Sequence, residues 1–164
     1  MPPLWFIIVF LTVMAFALGV RRGAPYLPIL KRDSDALLKL GGLKAGQSVI
    51  DLGSGDGRFL LAAARRGISG TGYEINPILV LVSRIVCWRY RRLVKIHLAD
   101  FWRVELPPAD VIYTFLLPKY MTDLDAYLRR QVKRPTLLIS FAFEIPGRKP
   151  DKHNHNTFIY SYGE

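Results

Sequence analysis

Cysteine is almost absent: Cys87 is the one thiol in 164 residues, so the chain cannot close a disulfide on itself. Its neighbours are Val, Ile and Trp on a helix-like stretch, which suits a small buried apolar side chain better than a nucleophile. Histidine is nearly as scarce. His97 sits in an alternating run, where it reads as a surface or edge residue, and His153 and His155 fall in a polar turn. No Cys/His cluster has metal-ligand spacing, so no metal site is expected. Acids are also short in supply, 13 against 23 Lys and Arg, which leaves a net charge of +10. Such a balance favours anionic partners without choosing among membranes, nucleic acid and acidic protein surfaces. There is no internal repeat and no low-complexity tract.

No Lys or Arg precedes the apolar run Leu4–Val20, whereas Arg21-Arg22 follow it at once. A secretory signal has the opposite arrangement, a basic start before its apolar stretch, although Ala15-Phe-Ala17 faintly resembles a cleavage site. As a helix the run would reach about 26 Å at ~1.5 Å per residue, close to a hydrocarbon core of ~30 Å. The reading is an uncleaved transmembrane anchor over residues 1–22, with the remainder, 23–164, as one domain on the cytoplasmic side by the positive-inside rule. Pro25 and Pro28 bracket Tyr26 in the linker and restrict its backbone. Taken by itself, this stretch is better read as a plain juxtamembrane linker with an interfacial tyrosine.

What the domain does have is glycine at one place. Ser48-Val-Ile-Asp-Leu-Gly-Ser-Gly-Asp-Gly-Arg58 runs from a short apolar stretch through Asp51 to Gly53, Gly55 and Gly57, and then into the alanine-rich Phe59–Arg65. This reads as strand, tight turn and helix, with free N–H groups at the helix start. It is a poor dinucleotide fingerprint, since Arg58 occupies the last glycine position. A carboxylate at the strand end instead suits a ligand with a positive amine. A second acid, Glu74, ends the next strand-like run, Gly70-Thr-Gly-Tyr-Glu74, where a carboxylate can bind both hydroxyls of a ribose.

Further elements follow in alternation. Asp33-Ser-Asp35 offers a cap for a short helix, Ala36–Leu40, stopped by Gly41-Gly42. Asn76-Pro77 opens an apolar helix, Ile78–Tyr90, ending among Arg89, Arg91 and Arg92. That basic cluster compensates the helix dipole or meets anionic lipid headgroups. Strands are expected at Val94–Leu98, Asp110–Leu117 and Thr136–Phe143, and a helix over Met121–Val132. The tail Asn156–Tyr162 alternates and can add antiparallel to the sheet. The fold class is α/β, a mostly parallel Rossmann-like sheet with its last strand antiparallel.

Together these motifs resemble the class I, seven-strand methyltransferases that use S-adenosylmethionine (AdoMet), and within them a branch of archaeal and mitochondrial protein-lysine N-methyltransferases, some with an N-terminal apolar anchor. The resemblance rests on Pro25-Tyr-Leu-Pro28, Asp51-Leu-Gly-Ser-Gly-Asp-Gly-Arg58, Gly72-Tyr-Glu-Ile-Asn-Pro77, Asp100-Phe-Trp102, Thr114-Phe-Leu-Leu117 and Ser140-Phe-Ala-Phe143, across Pro25 to Tyr162. It departs at Ile29, where that branch often has Thr or Ser.

The resemblance implies AdoMet as cofactor. Asp51, Gly53, Gly55 and Gly57 would lie at its methionine part, Glu74 at the ribose, and Asp100 and Phe101 at the adenine, with Tyr26 and Asn76 also in the site. It further implies a lysine side chain of a protein, membrane-associated like the anchor, as methyl acceptor, with Tyr26, Phe115 and Phe143 as aromatic walls and Glu144 orienting the amine. A structural acid before Pro146 is an equal reading of Glu144. An aminolipid or small-molecule N-methyltransferase and a non-catalytic AdoMet-binding module are the alternatives. A nucleic-acid substrate is not expected, since Thr114-Phe-Leu-Leu117 replaces an Asn-Pro-Pro-aromatic motif after the fourth strand.

Overall fold

The computed structural model describes residues 3, 5–6 and 31–163. Apart from residues 3, 5 and 6, the anchor segment lies outside the described residues, as does Tyr26. Among those described, no helix is long and apolar enough to cross a membrane.

Seven strands form one sheet: β1 Ser48–Leu52, β2 Ser69–Glu74, β3 Val94–Leu98, β4 Val111–Thr114, β5 Thr136–Phe141, β6 Lys152–Asn154 and β7 Thr157–Tyr162, in the order β3-β2-β1-β4-β5-β7-β6. The pairs β1·β2, β1·β4, β2·β3 and β4·β5 are parallel, and β7 runs antiparallel to both β5 and β6. The helices are α1 Lys31–Leu40, α2 Arg58–Ala64, α3 Pro77–Val86 and α4 Met121–Gln131. The chain steps outward from β1 to β3, then crosses to β4 on the other side. That reversal opens a crevice at the carboxyl ends of β1 and β4, where doubly wound sheets bind ligands.

Alternation along the central strands feeds two cores. Val49, Val111, Tyr113 and Ile139 pack with Leu37 and Leu38 of α1, Phe59 and Leu60 of α2, and Val80 of α3. On the opposite face Ile50, Leu52, Ile112 and Leu138 pack with Met121, Leu124 and Leu128 of α4. Each such buried aliphatic or aromatic side chain contributes about 1.5–3 kcal/mol. Gly70 and Gly72 thin β2 on its α2 side, for a Cβ there would lie 2.8 and 2.7 Å from Leu60.

Several boundaries differ from the sequence reading. The third helix stops at Val86, and Trp88–Tyr90 is a separate 3-10 turn after the Cys87 cap. The fourth strand ends at Thr114, three residues early, and the fifth at Phe141, so Glu144 follows the strand by three residues and does not close it. Helix α1 begins at Lys31, before the expected cap. His153 belongs to strand β6 and not to a turn; its ring stacks on Phe158 at 4.8 Å. A three-residue polar strand has no apolar face to betray it, and only its pairing with β7 makes it one.

Candidate active site

The glycine turn is fastened to the end of β2. The N–H groups of Gly53 and Ser54 both donate to the Tyr73 carbonyl, at 2.9 and 3.0 Å, and Gly57 N–H donates to Ser54 O at 2.9 Å. Glu74 completes the clamp: Oε2 accepts from Gly55 N–H and Oε1 from Asn76 N–H, each at 2.9 Å. Two N–H donors leave lone pairs on both oxygens of an ionised carboxylate. Asn76 does what its position before a proline predicts, its Oδ1 accepting from Ile78 N–H and Leu79 N–H at the start of α3. Arg58 folds back on Asp56, with Nε 2.7 Å from Oδ2, so the residue in place of the last glycine braces the turn.

Two glycines in the turn have distinct reasons. Gly57, with φ of 78°, caps α2 from the left-handed region, and a Cβ there would lie 2.8 Å from Ser83 Cβ and 3.3 Å from Cys87 Sγ. It admits α3 to close contact. Gly53, with φ of 97°, faces open space, for nothing among the described residues lies within 4 Å of where its Cβ would be. The first is packing and the second is room for a ligand beside the main chain.

Asp51 stands at the heart of this room. It is 2% exposed, and its Oδ1 has no hydrogen-bond partner among the described residues. Burial raises its carboxyl well above the ordinary range, and the nearby charges of Glu74 and Asp56 push the same way. Ser54 Oγ and Thr114 Oγ1 are likewise buried and unpartnered. Thr114 closes β4, one position past the Tyr113 paired with Asp51. Orphaned polar groups at the carboxyl ends of the neighbouring strands β1 and β4 are a cost unless a ligand relieves them. A cation for Asp51, hydrogen-bonding groups for the hydroxyls and a carboxylate edge at Glu74 suit an amino-acid moiety joined to a nucleoside. The sequence alone does not single out Ser54 or Thr114, although both lie inside its motifs; burial without a partner is the signal, and it exists only in three dimensions.

The other expected residues divide. Phe115, just past β4, and Phe143 face each other in parallel at 6.3 Å, and Phe141 meets Phe115 edge-on at 5.5 Å. The bend that brings Phe143 back is built by Ala142 at φ of 73° and by Ser140 Oγ–H donating to Phe143 O at 2.6 Å. Glu144 beyond it is exposed. Asp100 caps the 3-10 turn Phe101–Arg103, accepting from Trp102 N–H at 3.2 Å. Phe101 is turned into the core against Trp102 and Tyr127, and the Tyr127 hydroxyl shares its one proton between the carbonyls of Phe101 and Val104, at 2.7 and 2.8 Å. Cys87 is buried, and burial, with Asp56 and Asp51 nearby, pushes its thiol up to about 11, as suits a packing residue. Among the described residues there is no cluster able to hold a metal ion.

Residues 51–152 match the model of the ANTKMT methyltransferase domain. The mouse adenine nucleotide translocase lysine N-methyltransferase is 32% identical over 134 residues, 80% of this chain and 58% of that protein. The protein-lysine N-methyltransferase of Saccharolobus islandicus is 28% identical over 152 residues, 85% of this chain and 94% of that one. Among solved structures, an RNA methyltransferase from Salinibacter ruber in complex with S-adenosyl-L-homocysteine superposes with a TM-score of 0.75 at 29% identity, covering 83% of this chain and 92% of that one. The chain spans a little over half the length of the vertebrate relatives it matches. The chain belongs to the family of ANTKMT methyltransferase domains, and its sheet is that of the AdoMet-dependent methyltransferases.

Proposed function

We propose that the protein is an AdoMet-dependent protein-lysine N-methyltransferase, held at a membrane by the apolar segment at residues 4–20 with residues 23–164 on the cytoplasmic side, and acting on a membrane-associated protein. The observation that carries this reading is the buried Asp51 carboxylate, its Oδ1 without a hydrogen-bond partner among the described residues, beside an open glycine turn in a chain of this family. Asp51 would hold the cofactor amine, the turn at Gly53, Gly55 and Gly57 its methionine part, and Glu74 the ribose beside Asn76. Asp100, at the exit of β3, would line the adenine end, with Phe101 packed in the core behind it. Bound AdoMet supplies a methyl already activated on a sulfonium. The protein's task is then to deliver a neutral amine in line and to exclude water. Parallel Phe115 and Phe143 rings make an apolar wall that disfavours the ammonium form of an incoming lysine and offers π faces to a methylated product. Tyr26 would complete that wall, and Glu144 would orient the amine.

A second reading, RNA as acceptor, draws on the Salinibacter likeness and on the net charge of +10. A protein acceptor is favoured by the family and by the archaeal relative, which matches over nearly its whole length. The full chain incubated with methyl-labelled AdoMet, membrane extract and RNA separates these. Label in lysine of a membrane protein is expected; label confined to RNA or to aminolipid overturns the proposal.

A further inference from the structure

Helix α3 is amphipathic the wrong way round. Ile78, Leu81, Val82, Ile85 and Val86 recur at i, i+3, i+4, i+7 and i+8, the spacing of a single stripe. Such a stripe ordinarily faces the core. Here it faces outward, with Leu81 61% and Ile85 66% exposed, and Trp88 extends it at 65%. The residues turned inward are Val80, Ser83 and Cys87, all buried and small or medium in size. Close approach to Gly57 explains the small inner face. Nothing among the described residues explains the large outer one.

The charges around the stripe have one sign. Pro77–Leu98 contains Arg84, Arg89, Arg91, Arg92 and Lys95 and no carboxylate. All five are exposed, and Arg91 lies over the Trp88 ring at 5.0 Å. An apolar stripe ending in an exposed tryptophan and bordered by arginines is the makeup of a helix lying in a lipid interface, with its apolar face in the acyl boundary and its cations among anionic headgroups. A protein partner able to match it would need an apolar groove ringed by acids; an anionic bilayer supplies both at once.

We propose that the outer face of α3, with Trp88 and the arginines that follow, is a docking surface for an anionic membrane. It acts in addition to the N-terminal segment and sets the domain's orientation on the bilayer. It does not depend on which acceptor the enzyme methylates.

The test uses the full chain, with Cys87→Ala to leave a single label site. A polarity-sensitive fluorophore is placed at Ile85→Cys on the stripe, or at Ala126→Cys on the exposed side of α4 as a control. Vesicles are phosphatidylcholine with or without phosphatidylglycerol, doped with spin-labelled lipid as a quencher. Expected on the anionic vesicles is blue-shifted, lipid-quenched emission at position 85 and aqueous, unquenched emission at 126. Vesicle-bound protein unquenched at 85 overturns the proposal. So does a blue shift in detergent that adding vesicles leaves unquenched, which would assign the stripe to the N-terminal segment, or one that tracks protein concentration, which would assign it to a second copy. Equal quenching at 85 and 126 also overturns it, since no orientation is then set. Arg89→Gln and Arg91→Gln should each weaken the position-85 signal roughly fivefold at low salt. No loss in either refutes the part assigned to charge.

Discussion

Replacing Asp51 with Asn separates a residue kept for a ligand from one kept for the fold. The change preserves size and removes the charge. In the free protein that charge is buried, opposed by Glu74 and Asp56, and one of its oxygens is unpartnered. A carboxyl whose folded value lies above its unfolded value of about 3.9 binds more protons folded than unfolded across the interval between them. Stability therefore falls as pH rises through that interval, and no further above it. Asp51→Asn removes this slope, so from about pH 5 upward the free variant should match or exceed the wild type in Tm.

Cofactor affinity should move the opposite way. A hydrogen bond to a charged group contributes about 1.5–3 kcal/mol, so losing the carboxylate should weaken AdoMet or S-adenosylhomocysteine binding roughly tenfold to a hundredfold. Binding a cationic amine also pulls the raised Asp51 back toward its ionised form. Wild-type affinity should rise with pH through the Asp51 titration, with proton release on binding, and the variant should show neither. Calorimetry in two buffers of different ionisation enthalpy reads both quantities, and thermal melts of free protein read the first. A variant that melts lower in the free state and binds cofactor as tightly as wild type would refute the reasoning and make Asp51 a structural acid.

Gly57→Ala combines a left-handed backbone, about 1–2 kcal/mol, with overpacking against Ser83, about 1–3 kcal/mol. Denaturant titration should show a total loss of about 2–5 kcal/mol, and Ser83→Gly in the same chain should recover the packing part alone; independent, additive losses would exclude the contact. Asp125 accepts from Tyr162 Oη–H and Arg148 Nη1–H at 2.6 Å and from Arg129 Nε–H at 2.8 Å. Burial raises its carboxyl, but these partners more than offset that and hold it below its ordinary value. Asp125→Ala should cost about 2–4 kcal/mol near neutral pH by stranding Arg148 and Tyr162, with the gap to wild type narrowing as pH falls below about 4, where the wild-type advantage titrates away. Phe115→Ala should lower kcat/KM for the protein acceptor roughly tenfold or more while leaving cofactor affinity within about twofold, since the ring packs with Phe141 and Phe143 as part of the acceptor wall; a parallel loss of cofactor binding would contradict that role.

What could be read from the chain was whatever local chemistry decides. The strand–turn–helix around Gly53 to Gly57 follows from glycine's freedom and from apolar runs on either side, and Asn76-Pro77 opens a helix wherever it stands. The mostly parallel sheet with an antiparallel last strand follows from alternation of strand and helix plus the short alternating tail. Other features depend on distant neighbours. Thr114 ends β4 because its run diverges there from β5, although Phe115-Leu-Leu117 is as apolar as what precedes it. Phe101 reads as a ring beside an acid, free to stack, until Tyr127 and Trp102 enclose it. The stripe on α3 reads as a core face by periodicity alone; only the fold shows that the core took Val80, Ser83 and Cys87 and left the stripe outside.

The inversion of α3 and the architecture of the cofactor turn have one cause. Gly57 must sit in the left-handed region to start α2, and the space its missing Cβ leaves is filled by Ser83 and Cys87. Large residues on that inner face would push α3 away from the turn, and with it Asn76, whose side chain caps the helix and whose N–H is held by Glu74. The helix thus gains little apolar burial from the domain, because its contact is close but small. An isolated ten-residue helix is marginal in water. A second apolar environment on the outer face would supply what the inner one lacks, and that face carries aliphatic side chains where a solvated helix would carry Glu and Lys. Membrane contact and cofactor binding would then bear on the same short helix from opposite sides, so that seating the stripe in lipid should slow local opening of α3 and of the Gly53–Gly57 turn together. Amide exchange followed on and off anionic vesicles should show both segments gaining protection in parallel; protection of α3 with none at the turn would show that the two faces are energetically separate.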